Sequence, residues 1–159
     1  MLELIVTGFA IGAAATLAMD LWALALNRAA GQPLPNWGNV GRWFWHVAKG
    51  RVFHDDIAAA APHPQEVALG WIAHYATGLV YGALFLVIAG PGWLAAPRFL
   101  PAWIFGLITI GAGWFLLQPG MGLGWAASAT PNPWKLRAMN VAAHTAFALG
   151  LWGGALLLP

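Results

Sequence analysis

Five polar residues interrupt the long apolar stretches of this 159-residue chain: Asp20, His74, Gln118, Asn140 and His144. A carboxylate with two imidazoles is a donor set that holds a divalent transition metal with open positions, or relays protons. The amides of Gln118 and Asn140 can orient such groups, since each both donates and accepts. An aspartate at the centre of a membrane span costs about 2.5–3.5 kcal/mol on insertion scales, less nearer the surface. A chain that keeps one there pairs it or uses it. The leading expectation is that Asp20, His74 and His144, with Asn140 and Gln118 beside them, bind or transport an ion or small polar ligand. A membrane-embedded enzyme built on a metal held by Asp20, His74 and His144 is an alternative. So is a non-catalytic membrane subunit or scaffold in which these groups only pair. No catalytic residue is assigned.

The elements that position these residues follow from composition. Hydrophobic residues make up 60% of the chain and charged residues 8%, against roughly 25% charged in a soluble domain. So few charges cannot coat a water-facing surface. The eleven Trp suit the boundary between lipid and water, having an apolar body and one N–H donor. A net charge of +2 without a basic run gives no reason to expect nucleic acid. The absence of cysteine removes disulfides and thiolate chemistry. The expected fold is an all-α integral membrane protein.

Crossing about 30 Å of hydrocarbon takes about 20 helical residues. Four stretches reach that length, at about 2–27, 66–89, 100–118 and 136–158, forming one domain over 1–159. Lipid offers the backbone no partners, so spans must be helices or strands of a closed barrel; continuous apolar runs without period-two alternation exclude the barrel. The opening stretch carries Glu3 and no Lys or Arg near it, so it reads as a retained span rather than a secretory signal. Both long connections then fall on one side. That side holds Arg28, Arg42, Lys49, Arg51, Lys135 and Arg137, against Arg98 on the other. The positive-inside rule puts the long loops in the cytoplasm and both termini outside.

In the first loop, Val40, Trp43, Phe44 and Val47 fall at i, i+3, i+4 and i+7. This predicts an amphipathic helix over about 39–49, stopped by Gly50 and suited to the interface plane. The stripes Gly8-Gly12-Thr16-Asp20 and Gly70-His74-Gly78-Gly82 permit close helix approach. A similar stripe on the last span, Ala142-Ala146-Gly150-Gly154, lies nearly opposite His144 and is a candidate face for another subunit or a homodimer. Ala73-His74 and Ala143-His144 begin similar heptapeptides, so the chain reads as two helix hairpins in a candidate internal repeat. At 1.5 Å per residue, Asp20, His74 and His144 sit roughly 10–12 Å inside their helix ends, on one side. The loop histidines His54 and His63 lie beside acids, but Pro62-His63-Pro64-Gln65-Glu66 reads as an ordinary helix start. Gly120-Met121-Gly122-Leu123-Gly124 follows a helix rather than a strand, so it is not a dinucleotide fingerprint. It is expected to fold as a loop over the bundle mouth, lined by Trp125 and Ser128.

Met19-Asp20-Leu21-Trp22, Asn36-Trp37-Gly38-Asn39-Val40-Gly41-Arg42-Trp43, Gly70-Trp71-Ile72-Ala73-His74-Tyr75 and Gln118-Pro119-Gly120-Met121-Gly122 through Thr130-Pro131 resemble a family of small bacterial inner-membrane proteins catalogued as a domain of unknown function. The resemblance spans nearly the whole chain. It implies a bacterial source and a four-helix membrane fold, and it brings no activity.

Overall fold

The computed structural model describes residues 1–158. Among them there is helix and no strand. The long elements are α1 (Leu2–Ala30), α2 (Trp37–Ala48), α3 (Glu66–Ala89), α5 (Phe99–Ala112) and α7 (Pro133–Leu156). A short α4 (Pro91–Ala95) joins α3 to α5, and α5 runs through a π turn (Gly113–Leu117) into α6 (Gln118–Gly120). Three helices are long and apolar enough to cross a membrane: Leu2–Ala30, Glu66–Ala89 and Phe99–Gly120. The sequence reading had four. α7 is as long as α3, at 24 residues, but Lys135, Arg137, Asn140 and His144 crowd its first half and lower its apolarity.

The helix ends follow local chemistry. α1 continues past Arg28 to Ala30 and stops at Gly31, whose φ of 62° is the left-handed cap that glycine adopts without a Cβ penalty. α2 begins at Asn36, whose side chain accepts from the Asn39 amide at 3.2 Å. It starts two residues earlier than expected and ends just short of Gly50.

The chain packs as two compact units. The first holds Met1–Leu34, Tyr75–Thr109 and the chain from Val141 onward. Its core is Ile11, Ala15, Phe85, Leu86, Trp93, Ala102, Phe105, Phe147, Leu151 and Ala155. Glycines let the helices meet backbone to backbone. A Cβ on Gly82 would lie 2.5 Å from the Gly12 Cα, so Gly78 and Gly82 of the α3 stripe face Gly8, Gly12 and Thr16 of the α1 stripe, while Gly70 lies against Trp37 of α2. A Cβ on Gly150 would lie 2.5 Å from the Ala15 Cα, and one on Gly154 3.2 Å from the Ala14 Cβ. The small-residue face of α7, expected to be available to another subunit, is therefore taken by α1 of the same chain. Large apolar side chains such as Val6, Leu17, Leu21, Val80, Val87, Ile88, Ile104 and Ile108 point outward, as suits contact with lipid.

The second unit holds Pro35–His74 and Ile110–Asn140. Within it α2 packs on the first turns of α3, where a Cβ on Gly41 would meet the Glu66 carbonyl and one on Gly70 the Trp37 carbonyl. Trp43, Ile57 and Met121 form a small core with Val40 and Val47 against it. Phe44, predicted on the same apolar face, is 38% exposed.

Gly150 and Gly153 provide a paired test on one helix, since nothing lies within 4 Å of a Cβ built on Gly153. Gly150→Ala is expected to destabilise by about 1–3 kcal/mol through overpacking. Gly153→Ala should be neutral or slightly stabilising, by up to about 1 kcal/mol. Thermal unfolding in detergent, followed by tryptophan fluorescence, measures both; equal midpoints would refute the α1–α7 contact.

Candidate functional site

Asp20, on α1, accepts a hydrogen bond from the Tyr75 hydroxyl at 2.8 Å. His144, on α7, has Nδ1 3.0 Å from both the Thr109 hydroxyl and the Gly106 carbonyl. Thr109 already donates to Gly106 at 2.7 Å, so the His144 Nδ1–H donates toward this oxygen pair and ties α7 to α5. Gly106 permits this, since a Cβ there would lie 2.9 Å from the His144 carbonyl. Both contacts belong to the first unit. In the second unit, His74 stacks on Trp37 with ring centroids 4.1 Å apart. Among the described residues, no three His, Asp or Glu side chains are grouped to hold a metal ion.

Gln118 and Asn140, expected as helpers, do come together. Asn140 Oδ1 accepts from Gln118 Nε2 at 2.9 Å and from Trp114 Nε1 at 2.9 Å. The π turn sets this up: the Gln118 amide bonds to the Gly113 carbonyl, five residues back, and this wider turn changes which side chains face α7. Single π turns within α-helices are frequently found at functional sites. Gln118 is 6% exposed, and its Oε1 is buried with no hydrogen-bond partner. The amide cannot be reversed without loss, because Asn140 Oδ1 needs the Gln118 N–H. One acceptor beside the Gln118–Asn140 bond thus has no hydrogen-bond partner among the described residues.

The walls of this unit are held by groups to which the sequence reading gave no such role. Arg42 forms a two-pronged ion pair with Glu66, Nε to Oε2 and Nη2 to Oε1, each 2.8 Å. Its Nη1 donates to the carbonyls of Ile57, Ala58 and Ala60 at 3.1, 2.8 and 3.2 Å. The hydrogen bond to Glu66 raises the Arg42 pKa further above its ordinary value, against the opposing effect of burial. Arg42 and Glu66 stand 24 positions apart, and no local spacing announces their contact. The Gly120–Gly124 loop packs on the 52–58 segment: Gly120 and Met121 accept from the amides of His54 and Ile57 at 3.0 and 3.1 Å. Gly122, at φ 86°, lies against the Asp55 carbonyl, where any Cβ would collide. Ala126 and Ala127 also adopt positive φ, 46° and 63°, a strained pair held by Arg137 Nε, which donates to the Ala126 carbonyl at 2.8 Å. Trp125, expected to line a mouth, is 61% exposed.

A model of the family described as "Protein of unknown function (DUF2938)" matches residues 9–158. The chain belongs to this family. Membership agrees with the resemblance noted on Asn36-Trp37-Gly38 and Gln118-Pro119-Gly120, and assigns no chemistry. No curated protein and no solved structure matches the chain.

Asn140 Oδ1 accepts from two donors, on half-buried Trp114 and on buried Gln118. Asn140→Leu, close in size, leaves the Trp114 and Gln118 N–H groups unmet and is expected to cost about 1–3 kcal/mol for each group left buried. Asn140→Asp, which keeps the acceptor, should retain most of the stability. Unfolding midpoints of the two variants in detergent check this; an unchanged midpoint for Asn140→Leu would refute the pairing.

Proposed function

We propose that this protein is a four-span membrane protein that binds a small polar ligand or cation at Gln118 and Asn140. In this reading α7 is the fourth span, the membrane is the bacterial inner membrane, and both termini face the periplasm. The observation that carries the binding reading is the buried, unpartnered Gln118 Oε1. A buried polar group without a partner costs free energy, so its complement is a hydrogen-bond donor (an N–H, an O–H or an ammonium) or an alkali cation that the oxygen coordinates. Trp114 lies beside the amide pair and supplies an aromatic wall. The π turn shapes the segment that carries Trp114 and Gln118.

A second reading, a non-catalytic membrane subunit, draws support from Asp20 and His144. Both are engaged in hydrogen bonds within the chain, as a packing role requires.

Isothermal calorimetry on detergent-purified protein separates the two. Ammonium, methylammonium, sodium and potassium chlorides are the probes, applied to wild type, Gln118→Leu and His63→Gln. Saturable binding of at least one probe is expected in wild type and His63→Gln, with loss of about tenfold or more in Gln118→Leu, the size of one hydrogen bond to a charged group. Absence of saturation by any probe, or equal binding by all three proteins, would favour the subunit reading.

A further inference from the structure

Two loop-region histidines, unused by the site above, are joined end to end. His54 is 5% exposed, and its Nδ1 lies 3.0 Å from the Gly120 carbonyl. Its Nε2 faces His46 Nδ1 at 2.8 Å. His46 Nε2 in turn lies 3.0 Å from the Ala61 carbonyl. All four ring nitrogens are thus in hydrogen-bond contact, through three contacts.

Counting protons decides the charge. A carbonyl oxygen only accepts, so both outer nitrogens must carry hydrogen. The inner nitrogen–nitrogen contact needs one hydrogen as well, on either ring. That makes three protons, and two neutral imidazoles bring two. We infer that His46 and His54 form a binding site for one proton beyond the neutral pair, and that this proton latches the 51–61 segment onto α2 and the Gly120 turn. With the proton lost, one of the three contacts must break: the two rings part, or one lets go of its carbonyl. The pair is therefore closed at lower pH and opens as pH rises.

The surrounding charges set how far it opens. On α2 stand Arg42 and Lys49; Lys49 lies over the Trp45 ring, 4.4 Å from its centroid. The latched segment carries Arg51, Asp55 and Asp56, with Asp56 capping the Ala58 amide at 2.8 Å. Just before α3 is His63, whose ring packs tilted against Trp45 with centroids 4.1 Å apart, and α3 opens with Glu66, paired with Arg42. The Gln118–Gly124 stretch that offers the Gly120 carbonyl has no charged residue. Asp55 and Asp56 supply counter-charge beside His54, and Arg42 and Arg51 supply like charge. Arg42, charged at every working pH, keeps the carbonyls of Ile57, Ala58 and Ala60 in place. Opening is thus confined to the ends of the segment, at Ala61 and at the Gly120 turn, and the fold survives it.

The test uses the full chain in detergent with ¹⁵N-labelled histidine, read by side-chain NMR from pH 5 to 8, the range in which histidine changes charge. Amide exchange of residues 52–61, corrected for intrinsic rate, is measured alongside. In wild type, His46 and His54 are expected to change together by one proton in total. Exchange at the ends of the segment should rise roughly tenfold as that proton leaves, the scale of one lost hydrogen bond to a charged group. His46→Gln keeps a donor and an acceptor and cannot titrate, so its segment exchange should be flat with pH while the His63, His74 and His144 signals persist. Two rings that titrate independently would overturn the inference. So would a pair neutral throughout, or segment exchange in wild type as flat as in His46→Gln; the wild-type spectra decide even if the variant fails to fold.

Discussion

A polar group removed from water must find its partner inside the protein, at a cost of roughly 2–7 kcal/mol when it does not. With charged residues at only 8% of the chain, nearly every contact that defines this molecule answers that constraint. Tyr75 meets Asp20, the Gly106 carbonyl meets His144, and Asn140 meets two donors at once. Arg42 spends its donors on one carboxylate and three carbonyls. Gln118 Oε1 stands out because it breaks the pattern. A chain that satisfies its other polar groups so thoroughly gives that one acceptor its meaning.

The small residues are the other half of the same design. Backbone contact at Gly8, Gly12, Gly78 and Gly82, and at Gly150 and Gly154, draws helices together where apolar side chains gain little from leaving lipid. The second unit uses Gly41, Gly70, Gly120 and Gly122 in the same way, but there the close approach seats a loop segment between α2 and the turn after α6. One unit is dominated by apolar packing around Phe85 and Leu151, the other by ion pairs, imidazoles and carbonyls. The chemistry gathers in the second.

Much of this was legible in local spacing. The bounds of α3, the amphipathic face of α2 and the α1 and α3 stripes depend on neighbours three or four residues apart, which a sequence displays directly. The wide turn at Gly113–Leu117 has no such signature, and without it Gln118 and Asn140 read only as orienting partners for Asp20, His74 and His144. The Arg42–Glu66 fork and the His46–His54 chain with Gly120 join positions up to 66 apart, beyond any periodic rule. α7 was legible only in part. Its length reads as a span, but Lys135, Arg137, Asn140 and His144 leave it less apolar than the other three, and its small-residue face turned out to be the α1 contact.

The most direct measurement of the central claim is made on the Gln118 carbonyl itself. Isotope-edited infrared spectra of protein labelled with ¹³C at the glutamine side-chain carbonyl, minus those of Gln118→Leu, isolate its stretching band. Added methylammonium should move that band to lower frequency and saturate, as an acceptor gains a donor. A band that keeps its position at every concentration would mean that Gln118 receives no such ligand, and that the amide pair serves packing alone.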